Sequence, residues 1–456
     1  MAVHLLIGLT GRSLQFALIA LIVDDVNATG AQKSHNSTSA GAVVASFQLG
    51  ALIGALSCIF FGDLLGRRKT VFLGSVLTIM GNLLQVSSYS LPQFVVGRII
   101  LGMGSVQLAG LCFYLSTIFK LAMAASVGSL FAPSSLICLT VFCFPESPRW
   151  LVKVNRTSQA SISLAAYKGV PEAHDSIAAE IGGIELSLET SDKKISLIEI
   201  FTLKEDADRL LHRLLLCIGL QFLQQMCGGT LISVYASTIF QNNLNLDSDL
   251  AKILASCALT WKFLCCFVAF FCIDRLGRRT VFIVSGTGMS LCMAALAVTT
   301  SFSTSNKGAS IASATFIFLF NFFYPIGFLG GNFLYCTEIA PIQLRTAMNS
   351  VSTANHWLWN FVVTMITPVA LNTIGYRYYI MYAIISACIP IAVGLFYPET
   401  MGRNLEMINH VFRDASSRWT IVAMARSVPK GDLTESDILE QNNEKEDISI
   451  EQRENV

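Results

Sequence analysis

The chain has 456 residues, 53% hydrophobic and only 13% charged, with a mean hydropathy of +0.58. A soluble domain carries about 25% charge, so the composition excludes an ordinary water-soluble globule and points to a membrane protein. The formal net charge of +1 provides no global field to draw nucleic acid or an acidic partner.

A helix that crosses a bilayer needs about 20 apolar residues. The first candidate covers residues 5–23 and is interrupted by Gly11-Arg12-Ser13. Stronger ones follow at 40–61, 70–88, 93–117, 121–144, 214–240, 250–273, 280–301, 310–336, 347–371 and 378–397, about eleven in all. Between the first two lie Asn27-Ala-Thr and Asn36-Ser-Thr. Both are N-glycosylation acceptors, which need a lumenal or extracellular face.

After the second candidate comes a charged hinge, Phe61-Gly-Asp63-Leu-Leu-Gly66-Arg67-Arg68. It returns in the second half as Asp274-Arg-Leu-Gly277-Arg278-Arg279. A second pair of motifs closes each half: Pro145-Glu146-Ser-Pro-Arg149, and Pro398-Glu399-Thr-Met-Gly-Arg403. Two copies of one pattern mean a duplicated helix bundle, an architecture used by carriers that bind substrate between their halves. The fold class is therefore all-α and polytopic, with two pseudo-symmetric bundles.

Four regions follow: an incomplete N-terminal bundle (1–144), a cytosolic central loop (145–213), a C-terminal bundle (214–397) and a largely disordered cytosolic tail (398–456). The loop holds nine lysines and arginines, so the positive-inside rule places it and both hinges in the cytosol. The tail ends in an acidic stretch of the disordered type.

The repeat exposes a gap. Gly66 and Pro145 are 79 residues apart and Gly277 and Pro398 are 121 apart, so the first half is 42 residues short. Only three candidate helices fit in the shorter interval. Three crossings would put the Pro145 motif on the opposite side from the hinge, against the charge rule.

Thirteen cysteines are scattered through apolar runs without a Cys-x-x-Cys pair, which reads as small buried hydrophobes. Metal-ligand spacing, a phosphate-binding Gly-Lys-Ser/Thr loop and a nucleophile elbow are all missing. The reading is a non-enzyme without cofactor or metal.

Polar residues inside apolar helices are the candidates for function, because hydrocarbon offers them no partners. Gln224 and Gln225 lie beside Gly228-Gly229. On the residues alone, interhelical bonding and ligand contact are both open. Trp357 and Asn360 are three apart and share a helical face. His356 sits beside them. Arg98 is an intramembrane charge that needs a partner or water. Lys262, mid-helix beside Trp261, shows no acid partner in the pattern and is given no role.

Taken in order, the motifs GDLLGRR (62–68), GR and LGMG (97–98, 101–104), PESPRW (145–150), QQMCGGTLISVYASTIF (224–240), DRLGRR (274–279), YCTEIAPIQLR (335–345) and PETMGR (398–403) resemble those of the sugar porter family of the major facilitator superfamily, its fungal members above all. The resemblance implies twelve helices in two bundles that rock about a central site, here with about eleven. The implied partners are a small sugar, a hexose or short oligosaccharide, and in some members a proton.

By that resemblance Gln224, Gln225, Thr230, Tyr235, Trp357 and Asn360 are sugar contacts. Thr230 stands where the family has asparagine, and Val234 replaces the first of a tyrosine pair. Arg98 is the proton-coupling candidate, although the Gly-Tyr-Asp motif whose acid it would tune is missing, and Asp24 and Asp25 fall at the helix end. Asp63, Arg67, Arg68, Glu146, Arg149, Asp274, Arg278, Arg279, Glu338, Arg345, Glu399 and Arg403 form a cytosolic gate of exchangeable ion pairs. Residues 99–144 contain no acid, so the first half's latch is expected to be weak. The alternative to a working carrier is a non-transporting sugar sensor or a truncated, inactive isoform.

Overall fold

The computed structural model describes residues 30–112, 131–189, 200, 209–244, 247–302, 306–341, 344–403, 405–415, 417 and 419–427. The expected helix at 5–23, Asp24, Asp25, Asn27 and the tail beyond Ser427 lie outside the described residues. Among those described, the regular structure is helical throughout.

In chain order the helices are α1 (Gly30–Leu65), α2 (Arg67–Val86), α3 (Leu91–Cys112), α4 (Phe131–Thr140), α5 (Pro148–Lys153), α6 (Thr157–Lys168), α7 (Asp175–Glu189), α8 (Leu210–Gln225), α9 (Gly229–Val234), α10 (Ala236–Leu244), α11 (Ser248–Leu276), α12 (Arg278–Ser301), α13 (Lys307–Phe328), α14 (Gly331–Ile339), α15 (Arg345–Thr373), α16 (Arg377–Phe396), α17 (Leu405–Asp414) and α18 (Ile421–Ser427). Length and apolar composition alone qualify six segments as membrane spans: 41–62, 67–86, 249–276, 278–301, 307–339 and 377–396.

The expected helices at 40–61 and 70–88 correspond to α1 and α2. Asn36 lies within the first turns of α1, not in a loop as the sequon reading supposed. The expected helix at 121–144 is described only from Phe131.

The first half is held by close backbone approach. A Cβ on Gly50 would strike Ile99, one on Gly102 would strike Phe47, and one on Gly104 would meet Thr78. Lipid tails are as apolar as leucine, so helices in a bilayer gain little from mere burial. Small residues that admit dispersion contacts between backbones take that role. Gly81 faces Leu101 and Gly97 faces Gln85, so α3 runs antiparallel to α2. Phe142 packs on Phe72, 5.1 Å between centroids, at the start of α2. Helix α4 therefore runs toward the hinge, in the same direction as α3.

That direction corrects the count of crossings. Three alternating passes would have placed Pro145 away from the hinge. Instead the Glu146 carboxylate accepts from the backbone N–H of Arg67 at 3.1 Å and of Arg68 at 3.2 Å. Hinge and closing motif share one end, as the charge rule requires. The residues between Cys112 and Phe131 lie outside the described set.

The second half repeats the device. Glu399 accepts from the N–H of Arg278 at 2.9 Å and of Arg279 at 3.0 Å. In each half a glutamate from the closing motif caps the first turn of the helix after the hinge, where unpaired N–H groups and the helix dipole favour an anion. Gly66 and Gly277 make the sharp turn there, with φ of 78° and 87°.

In two of the four regions the described residues form helices that the sequence pattern does not announce. Among its described residues the central loop carries helices: α5, α6 and α7 pack on one another through Leu151, Val152, Ala160 and Ile184, with Leu164 and Ile177 as a second nucleus. The tail is helical at α17 and α18. Ile408, Val411, Phe412 and Ile421 join the core of the second half. Arg213, read from sequence as a loop cation, is fully buried. Its guanidinium donates to Asn409 Oδ1 at 2.6 Å and lies 4.4 Å from the Phe412 ring centroid, pinning α17 to α8.

The halves meet along α1 and α15. Ala51, Ala55, Val106 and Ala354 form a small apolar seam with Leu52 and Trp357 at its edge. At the hinge end Arg67 Nη2 donates to Thr346 Oγ1 at 2.9 Å across the seam.

A Cβ on Gly277 would sit 2.6 Å from the Glu399 carboxylate, in backbone that L-residues avoid. Gly277→Ala should therefore cost about 1–3 kcal/mol and lower the melting temperature in detergent. Gly66→Ala, whose nearest neighbours are Trp150 ring atoms at 3.0 Å, should cost less. Equal melting of Gly277→Ala and the parent would refute the cap.

Candidate functional site

Two spanning segments read from sequence as continuous helices are broken, and the breaks face each other. The first separates α8 from α9 at Met226–Gly228, where Gly228 has φ 90°. The second separates α13 from α14 at Leu329-Gly330. A break frees backbone carbonyls that hydrocarbon cannot satisfy. Gln224 Nε2 donates to the carbonyl of Phe328 at 2.7 Å and lies 3.4 Å from the Tyr324 hydroxyl. Gln224 thus closes the second break from the first.

The rest of the cluster builds on it. Asn332, in the first turn of α14, donates through Nδ2 to Gln224 Oε1 at 2.6 Å and Gln221 Oε1 at 2.7 Å. His356 of α15 has Nδ1 2.6 Å from Gln224 Oε1, and Gln225 Nε2 is 2.9 Å from His356 Nε2. Gln225 Nε2 lies within 3.0 Å of both ring nitrogens, so His356 is gripped by the two glutamine amides together. Thr230 Oγ1 donates to Gln225 Oε1 at 2.7 Å.

The glutamine pair divides by this geometry. Gln224 uses its donors on Phe328 and Tyr324 and its oxygen on two partners. Gln225 engages one partner through each end of its amide, which leaves one N–H and one lone pair for a ligand. Gln224, Gln225, Thr230 and His356 are all buried.

The other expected contacts lie along the seam between the halves. Tyr235 OH donates to the carbonyl of Thr364 at 2.8 Å, and Thr364 Oγ1 donates to Asn360 Oδ1 at 3.3 Å. The Gln48 amide of α1 lies 3.4 Å from Thr364 Oγ1. Trp357 stands edge-on to His356 at 5.1 Å and to Phe47 of α1 at 5.8 Å. It therefore touches both halves and the amide cluster. Sequence reading missed Gln221, Tyr324 and Asn332. The polar residues in apolar runs were visible, but nothing local showed that they converge.

The gate residues partner differently from the expected ion pairs. Arg278 does pair with Glu338, Nη2 to Oε1 at 3.0 Å, and with Asp274 at 3.2 Å. Thr400 Oγ1 donates to Glu338 Oε2 at 2.6 Å. The glutamates 146 and 399, however, bind backbone N–H groups. Arg68 Nη2 donates to the carbonyl of Phe142 at 2.7 Å, Arg279 Nη2 to that of Gly394 at 2.6 Å, and Arg345 Nη2 to that of Ala340 at 3.2 Å. Arg403 donates to the carbonyls of Glu399 and Ala425. Arg149 lies in the first turn of α5. The Asp63 side chain lies outside the described residues. Arg98 leans on its own helix, with its guanidinium 5.7 Å from the Phe94 ring centroid and Nε without a hydrogen-bond partner.

The model of the family described as "Sugar (and other) transporter" matches residues 15–120 and 106–412. The chain belongs to this transporter family. It is a multi-pass membrane protein of the major facilitator fold.

Among curated relatives, the MFS-type transporter oryC of Aspergillus oryzae is 29% identical, over 81% of this chain and 76% of its own. The sugar transporter STL1 of Saccharomyces cerevisiae is 28% identical, over 89% and 78%. The high-affinity fructose transporter ght6 of Schizosaccharomyces pombe is 26% identical, over 89% and 82%. Among solved structures, the proton:xylose symporter XylE bound to 6-bromo-6-deoxy-D-glucose superposes with TM-score 0.69 at 20% identity, over 89% of this chain and 94% of its own. Inward-open XylE from E. coli scores 0.60 at 20% identity, over 89% and 97%.

Replacing Gln224 by leucine strands the Phe328 carbonyl and takes one acceptor from Asn332 and one from His356, each of which keeps Gln221 Oε1. Each unsatisfied buried group costs about 1–3 kcal/mol. Thermal unfolding of the purified protein should show a clear loss for Gln224→Leu and a much smaller one for Gln225→Leu. Equal losses would refute the division of the pair.

Proposed function

We propose that this chain is a plasma-membrane sugar carrier that moves a hexose or short oligosaccharide by alternating access, without bond chemistry. The single observation that supports it most is the residual capacity of Gln225 at a junction of two broken helices. Discontinuous helices at mid-bundle are where carriers bind substrate. A sugar hydroxyl would take the free N–H and lone pair of Gln225, and the indole of Trp357 would offer an apolar face to ring CH groups. The names of the relatives, sugar and fructose transporters among them, support the same class.

The contact of Arg67 with Thr346 and the packing of α1 on α15 belong to a state closed at the hinge end. The capped turns at Gly66 and Gly277 keep each half rigid while the seam opens. In the first half Arg67 donates to the Gly62 carbonyl and to Thr346 Oγ1. Coupling to a proton would have to work around Arg98, which faces Phe94.

A second reading, a sensor or inactive isoform, draws on one observation. The family match falls into two pieces that meet at residues 106–120, inside the interval where the repeat is 42 residues short.

Uptake of labelled glucose, xylose and lactose in a host without its own sugar carriers, at pH 5 and 7.5, decides between them. Saturable uptake is expected, and Gln225→Ala should raise KM about tenfold, the worth of one or two hydrogen bonds. Unchanged uptake by Gln225→Ala would remove the site assignment. No uptake by protein that reaches the surface would favour the sensor or inactive isoform. A rise at low pH would establish proton coupling.

A further inference from the structure

The charge that the amide cluster does not explain is Lys262. It stands at the centre of the 29-residue α11, about 20 Å of helix from either end. A lysine stem reaches only about a third of that distance, so the ammonium cannot snorkel to either interface. Nor does it point to lipid. Its Nζ donates to Ser233 Oγ of α9 at 2.8 Å and lies 4.7 Å above the Tyr324 ring of α13. Tyr324 is the ring whose hydroxyl meets Gln224. Its neighbour Trp261 faces away, donating to the Phe318 carbonyl. Lys262 is thus one residue removed from the candidate site, on the same side.

Its surroundings lack a counter-charge. Among the described residues it makes no ion pair, and the titratable side chains around it are Tyr324 and the thiols of Cys227 and Cys266. Arg213, a buried cation at the hinge end of this half, differs: it donates to the Asn409 side chain and carbonyl and to the Ile339 carbonyl. A hydroxyl and an aromatic face are weak recompense for a cation held at mid-bilayer, where uncompensated charge is expensive. A neutral amide would serve Ser233 as well. A lysine answers to something that supplies negative charge.

We propose that Lys262 is the anion-binding point of this site and that the substrate is a sugar acid, a polyhydroxylated ring carrying a carboxylate. The hydroxyls go to Gln225 and Thr230, and the carboxylate goes to the Lys262 ammonium, displacing or sharing Ser233. This rests on the carrier reading above and narrows its substrate class. The ammonium is a compact charge on a four-carbon stem, suited to a carboxylate approached end-on.

The test is competition for uptake in the full-length chain, with matched pairs that differ only at C6: glucose against glucuronate, and galactose against galacturonate. In the parent, each acid should compete at about one-tenth the concentration of its neutral partner, the worth of one charge-assisted contact. Lys262→Gln should abolish that preference and Lys262→Arg should retain it. If Lys262→Gln does not reach the surface, the parent's own acid-to-neutral ratio together with Lys262→Arg and Ser233→Ala decides.

Preference for the neutral partner, or an unchanged ratio in Lys262→Gln, overturns the proposal and leaves the carrier reading standing. Uptake of glucose that depends on pH in the parent and not in Lys262→Gln also overturns it, by making Lys262 a proton carrier. Uptake of neither member of either pair, from protein at the surface, overturns both.

Discussion

Hydrocarbon forms no hydrogen bonds, so every carbonyl released by a break in a spanning helix must be met by another part of the protein. That constraint organises the second half. Gln224, at the end of α8, closes the break after Phe328. Asn332 and His356 then converge on the Gln224 oxygen. A site made this way is assembled by the fold: the polar groups needed to repair the backbone are also the groups that sit where two helices part. Gln225 keeps one N–H and one lone pair beyond its bonds to His356 and Thr230, and in the same cluster Gln221 Nε2 and Asn332 Oδ1 are buried without a hydrogen-bond partner.

The same accounting explains the hinges. Each Gly-Arg-Arg turn opens a helix whose first N–H groups have no internal partner. A glutamate far along the chain supplies it: Glu146 to α2 and Glu399 to α12. The caps tie the last helix of each half to an earlier one at the hinge end. The halves can then shift as units, and the contacts that must break are those across the seam, Arg67 with Thr346 and the small residues of α1 with α15. The second half adds the Arg278–Glu338 pair and the docked helix α17.

Much of this was legible in the sequence. The duplicated hinges, the matching Pro-Glu motifs and the ten apolar runs are local patterns, and local patterns survive without tertiary context. The positive charges at 145–213 even indicated the correct end for the Pro145 motif, against the count of crossings. The helical layer α5–α7 and the tail helices were missed, because their apolar residues are few and are buried only against partners distant in sequence. The breaks at Gly228 and Gly330 were missed because a glycine in an apolar run reads equally as a packing residue.

The sequence by itself determined that this is a two-fold repeated membrane carrier scaffold with its charge at one end. Alternation of apolar runs and charged turns is set residue by residue and needs no folding to be read. Only the tertiary structure decided that Glu146 and Glu399 cap helices instead of pairing with arginines, that Gln224 is committed while Gln225 is not, and that Lys262 faces Tyr324 and Ser233. Each of those facts is a matter of which donor meets which acceptor across separations of some 30 to 130 residues, and no spacing along the chain encodes such a meeting.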